Sequence, residues 1–230
     1  MKVLAVCVLA ATSLALVGAT SPPAALTSAV SAPAGASAPT AAQWIARFQT
    51  AWDALKTYKA TVKAHEELNG NAQDRTYILW FQKPTDVRLD VTAGDNKGSV
   101  AVYHGGDRVV GHRGGIFSLI KLNLDIHNKL AVSLRGTTIA QASFGAVLDH
   151  MKSTKWKSSE VLVQGDKWTI TSTAADPSTN QNILKEVATL GANGLPIELV
   201  QYEASGVLAK HVVYPDVQVD VDIPASTWQI

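Results

Sequence analysis

The sequence predicts an α+β domain that is mainly antiparallel β-sheet, and three observations carry that reading. Tyr58, Ala60, Val62 and Ala64 alternate with Lys59, Thr61, Lys63 and His65, the period of a strand with one dry face and one wet. Short apolar runs then recur between turn signals such as Asn69-Gly70, Gly105-Gly106, Gly165-Asp166, Asn193-Gly194 and Ser205-Gly206, as in a meander that curls into a barrel or sandwich. Two stretches, 41–55 and 140–152, carry helical periodicity instead.

The chain opens on a different polymer. Lys2 precedes an apolar run, Val3 to Ala11, which continues through Leu14, Leu16 and Val17 and closes on small residues at Gly18-Ala19. That pattern predicts a cleavable secretory signal over 1–19. A transmembrane helix needs about 18 consecutive apolar residues, and Thr12 and Ser13 interrupt this run. Cys7, the single cysteine, comes too early in the run to be a lipoprotein acylation site. Residues 20–39 are almost entirely Ala, Ser, Pro, Thr and Gly, a composition with little surface to bury, and read as a disordered tether. Lys2 is the only charge in leader and tether, so removing them leaves 19 basic against 19 acidic residues. A neutral mature domain, expected at 40–230, has no electrostatic reason to bind nucleic acid.

Thr40-x-x-Gln43 fits a capping box, and Ile45, Phe48, Trp52 and Leu55 form an apolar stripe, predicting a helix from Ala41 to Leu55. Strands are expected from Tyr58 to His65, Thr76 to Gln82, Val87 to Val91, Ser99 to Tyr103 and Arg108 to His112. Residues 116–135 follow neither period. Phe144, Val147, Leu148 and Met151 share a face of the second helix, Ala140 to Lys152. Strands resume at Glu160 to Gln164, Lys167 to Thr173, Asn182 to Leu190, Pro196 to Tyr202, Leu208 to Tyr214 and Gln218 to Val221.

Motifs for catalysis are missing from the sequence. His65 and Glu67 share a strand face that the alternation places in solvent, and His104 with His112 falls short of the three or four ligands of a zinc site. Nucleophile elbows, phosphate loops and dinucleotide fingerprints do not occur. The expectation is therefore no enzyme, no metal and no cofactor, with a hydrolase built around His65 or His112 as a distant third reading. Ile78-Leu79-Trp80-Phe81 is apolar on both faces, which fits either a doubly covered strand or the wall of a cavity.

The order of elements is similar to a known family. Leu55-Lys56-Thr57-Tyr58-Lys59-Ala60-Thr61 leaves the first helix, and an apolar strand ends in Lys83-Pro84 with Arg88 following. The hairpin Val100 to Val110, the segment Gly194-Leu195-Pro196-Ile197-Glu198-Leu199, Tyr202-Glu203-Ala204-Ser205-Gly206, Pro224 and Trp228 complete the pattern. Together they resemble the LolA/LolB-like periplasmic lipoprotein carrier superfamily and its exported relatives. The resemblance implies a curved half-open β-barrel covered by short helices, over a cavity for lipid or lipoprotein acyl chains. It implies a periplasmic monomer, secreted if the host lacks an outer membrane, that meets an acylated protein and a membrane-bound donor or acceptor. Trp80, Phe81, Phe48, Trp52, Phe144 and Leu148 would line the cavity or its lid, with Lys83 or Arg88 governing lid contacts. The alternative on the same fold is a periplasmic sensor or protein-interaction module with no transported ligand.

Overall fold

The computed structural model describes residues 38–230; the leader expected at 1–19 and nearly all of the tether lie outside the described residues. Helix α1 spans Ala41–Ala54 and α2 spans Phe144–Ser153. The strands are β1 Thr57–Leu68, β2 Asn71–Gln82, β3 Asp86–Gly94, β4 Val100–Tyr103, β5 Arg108–His112, β6 Leu122–Asp125, β7 Trp156–Gln164, β8 Lys167–Ala174, β9 Ile183–Leu190, β10 Pro196–Glu203 and β11 Leu208–Val219. All join one antiparallel sheet in the order β6-β5-β4-β3-β2-β1-β11-β10-β9-β8-β7. Two local meanders thus meet at a single seam, β1 against β11.

The sheet curls because α1 reaches across it. Trp52 packs on Phe81 of β2 at 5.3 Å between ring centroids, while the indole N–H of Trp44 donates to the carbonyl of Trp168 in β8 at 2.9 Å. These strands are five places apart in the sheet, about 24 Å if flat, whereas the step of eight residues from Trp44 to Trp52 spans about 12 Å of helix. Only a bent sheet brings both walls to one helix. β6 and β7 do not pair, so the barrel stays open.

Local chemistry explains the elements and several departures from expectation. The capping box forms: the Gln43 N–H donates to Thr40 Oγ1, and the Thr40 N–H donates to Gln43 Oε1. The buried stripe of α1 centres on Trp44 and Phe48 rather than Ile45, which is half-buried. β2 starts at Asn71, well before Thr76. β11 runs unbroken where two strands were expected. Its Pro215, which has no N–H to give, sits where the β1 register shifts between Thr61 and Lys63, and a bulge tolerates it. The second helix is split: a 3-10 turn over Ile139–Ala142 precedes Ser143, whose hydroxyl accepts from the Ala146 N–H and starts α2 afresh. The 116–135 segment holds the end of a 3-10 turn at Gly115–Phe117 and the short strand β6, and is otherwise irregular.

Candidate ligand cavity

The concave face of the sheet is filled at one end and hollow at the other. At the filled end Tyr58 stacks between Phe81 (5.1 Å) and Phe144 (4.4 Å), Phe144 meets Tyr214 edge-on, and the Phe144 N–H donates to the Tyr58 hydroxyl. Phe48 and Leu148 complete this dry cluster. Gly145 lets the helices touch, since a Cβ there would fall 2.5 Å from the Trp52 ring.

Residues expected to line a ligand site therefore divide sharply. Phe48, Trp52, Phe81, Phe144 and Leu148 come together, but as a plug of packed side chains that borders neither described cavity. Trp80 points to the opposite face of the sheet, because its neighbours Leu79 and Phe81 take the inner one. There Lys59 lies 4.5 Å over its ring and its indole N–H donates to Asp90. Arg88 shares that outer face, pairing with Asp90 and donating to the carbonyls of Thr227 and Gln229, so it ties down the chain's last turn rather than a lid. Lys83 does reach a helix: Nζ donates to the carbonyl of Trp52 at 2.6 Å and sits 4.6 Å over that indole, anchoring the end of α1. The histidine pairs stay apart from any common centre. His65 bonds Glu67 and Asp74 outside the sheet, His104 bonds Asp86, and His112 bonds the Arg113 carbonyl.

Beyond the plug a row of polar side chains crosses the concave face in register. Gln73 pairs with Glu66, Glu66 with Lys210, Lys210 with Gln201, Gln201 with Glu186, Glu186 with Ser172, and Ser172 with Ser159. The chain leaving β6 is laid over this row as a strap. The Leu134 N–H donates to Gln73, the Arg135 N–H donates to Glu66, and Lys210 donates to Thr137. Arg135, almost fully buried, donates to the carbonyls of Glu67 and Gln181 and pairs with Glu203 at 2.8 Å. Burial alone would push the Glu66 carboxyl up, but Lys210, the Ser133 hydroxyl and the Arg135 N–H outweigh it and hold its pKa below the usual carboxylate range. Glu186 is held low in the same way: burial opposes, and His150 (2.6 Å) and Asn180 prevail.

Two cavities lie under the strap, about 500 Å³ and about 180 Å³. The larger is walled by β3 to β6 and the strap, through Val91, Val109, Leu122, Leu124, Leu130 and Val132. The smaller holds Tyr77, Tyr214, Gln141 and Lys210. They share Arg75, Leu89, Val91, Ala131, Ser133 and Ile139, so the two abut along a common wall. Tyr77 is desolvated there, which pushes its phenol up to about 12. At the rim of the larger cavity stand Arg113 and Lys129, and between β5 and β6 a loop exposes Ile116, Phe117, Leu119 and Ile120.

Sequence reading missed Arg75 and Glu66, though a signal existed. Both fall in phase with the dry faces of their strands, Glu66 with Tyr58 to Ala64, and Arg75 with Tyr77, Leu79 and Phe81. Starting β2 at Thr76 removed Arg75 from the count.

No family model matches the chain, and no curated protein does. Solved structures overlay on it. An uncharacterized conserved protein from Thermus thermophilus is 10% identical with TM-score 0.49, covering 83% of this chain and 94% of its own. A LolA superfamily protein from Nitrosomonas europaea is 12% identical with TM-score 0.40, over 84% and 99%. The MucA/MucB complex structure from Pseudomonas aeruginosa contains a chain 14% identical with TM-score 0.42, over 81% of this chain and 59% of that one. An open antiparallel barrel with helices on its concave face is the architecture expected from the sequence. The fold is an open antiparallel barrel. In this sheet the helices fill one end, and the strap covers the cavities at the other.

Proposed function

We propose that this is an exported, non-catalytic binding protein that holds lipid or lipoprotein acyl chains, in the manner of a lipoprotein carrier. The observation that carries the reading is the 500 Å³ cavity walled by aliphatic side chains, because each methylene taken from water into such a wall contributes about 0.8 kcal/mol without any chemistry. The exposed apolar loop beside the rim supports it, offering an acyl chain continuous apolar surface on the way in. Such a carrier exchanges cargo with a membrane-bound donor or acceptor.

Native mass spectrometry of the protein purified from its exported form, followed by solvent extraction, tests this. A co-purifying acyl lipid or acylated peptide is expected, and Leu124→Asn should lose it. A bare mass, with no uptake of offered dodecanoate or lipopeptide, would sink the carrier reading.

A second reading, a sensor or interaction module, has its own support. β7 pairs with β8 on one side only among the described residues, and Leu162 and Val163 are exposed, so its other edge is a ready template for an added strand from a partner protein.

A further inference from the structure

The charged groups of the smaller cavity pair off with one left over. Glu66 takes Lys210 at 3.2 Å, Arg135 takes Glu203 at 2.8 Å, and His150 takes Glu186 at 2.6 Å. Arg75, the remaining charge in the lining, is half-buried, and its side chain makes no hydrogen bond or ion pair with any described residue. It stands on the wall shared by the two cavities. None of its nitrogens is sealed from solvent, so its donors are free to meet a ligand that enters the cavity. A planar fork of five donors is also the group that best matches a carboxylate or phosphate.

We propose that the cavity is selective for a single-chain amphiphile with an anionic head, the tail against Val91, Leu122, Leu124 and Leu130 and the head on Arg75. This rests on the binding reading above and narrows it to a ligand class. The larger chamber supplies most of the aliphatic wall and carries Arg113 and Lys129 at its rim, while the smaller adds the Tyr77 hydroxyl, which lacks a partner among the described residues, beside Arg75 on the wall the two share. Glu66, the nearby carboxylate, does not repel such a head strongly, because Lys210 and the Arg135 N–H already neutralise it. The shared chemistry is a carboxylate or a phosphate ester carried on an alkyl chain.

Binding of dodecanoate, dodecyl phosphate, dodecanol and inorganic phosphate to the full mature protein, measured by calorimetry, separates the possibilities. The wild type should prefer one or both anionic amphiphiles to dodecanol by roughly tenfold or more, the range of a hydrogen bond to a charged group. Arg75→Gln should erase that preference yet still take dodecanol, which also shows that the variant is folded. Arg75→Lys, keeping the charge without the fork, should retain part of it. Which anion wins distinguishes a carboxylate head from a phosphate head. Equal binding of dodecanoate, dodecyl phosphate and dodecanol in wild type and Arg75→Gln would overturn the head-group assignment while leaving an acyl cavity intact. Displacement of dodecanoate by inorganic phosphate alone would overturn it in favour of a plain anion site. No binding of any alkyl ligand would remove the carrier reading itself.

Discussion

Glu66 concentrates the energetics of the strap in one side chain. Its carboxylate accepts from a backbone N–H of the strap and pairs with Lys210, and its folded pKa lies below the unfolded value. A depressed carboxylate contributes stability that is fully present above its unfolded pKa and is lost as pH falls through the folded one. Acidification below about pH 4 should therefore loosen the strap. Glu66→Gln should lower stability at neutral pH by about 2 kcal/mol and flatten the acid limb of a plot of Tm against pH. An unchanged limb would show that Glu186 and the remaining carboxylates carry acid sensitivity alone. His65 acts in the opposite sense. Its hydrogen bonds to Glu67 and Asp74 raise its pKa, so its smaller contribution is complete below the ordinary histidine value and fades as pH rises through the folded one. Both residues were visible in the sequence, and His65 was correctly placed on the wet face. Glu66 was passed over because an adjacent charge run, His65-Glu66-Glu67, reads as solvated unless the strand period is carried one step further.

At the scale of elements, the two helices act as filling rather than as a cover. They meet where Gly145 admits the edge of Trp52, and an aromatic stack runs from Trp52 through Phe81, Tyr58 and Phe144 to Tyr214. Gly145→Ala should push the indole against Phe81 and cost about 1–3 kcal/mol, read as a lower urea midpoint with unchanged slope. A neutral result would mean that α1 and α2 slide freely. Periodicity revealed both helices and most strands, because each buries one face and repeats with its own period. It failed where contacts between distant segments decide the outcome. β6 is four residues long and exists through its partner β5, and the strap is held by side chains of β1, β2, β10 and β11. No local pattern encodes either.

The whole molecule is consequently asymmetric, solid under the helices and hollow under the strap. Opening to admit a ligand is thus easiest on the strap side, where polar contacts rather than packed rings hold the chain. Native-state hydrogen exchange should find amides of 129–138 exchanging through low-energy openings, while those around Tyr58, Phe81 and Leu148 await global unfolding. Added dodecanoate should slow the first group selectively. Equal protection in both regions would mean that entry takes another route. The sequence resemblance implied an open antiparallel barrel, the architecture the sheet order shows, and it placed a cavity among the aromatics. Aromatic side chains large enough to line a pocket are equally able to fill one, and only their mutual packing distances tell which they do.

The seam between β1 and β11 has a consequence for how the chain is made. β1 is synthesised early and pairs at once with β2 on one side, but its other edge waits until the last strand of the domain exists. Any half-sheet that forms before β11 exists leaves that edge bare. The wet face of β1 carries Lys59, Lys63, His65 and Glu67, charges of the kind that discourage a stray strand from docking. In the finished protein these side chains do little for the cavity on the far side of the sheet. Besides binding Trp80 and Asp74 in the finished protein, they serve earlier, keeping the unfinished protein from joining its neighbours before its own final strand arrives.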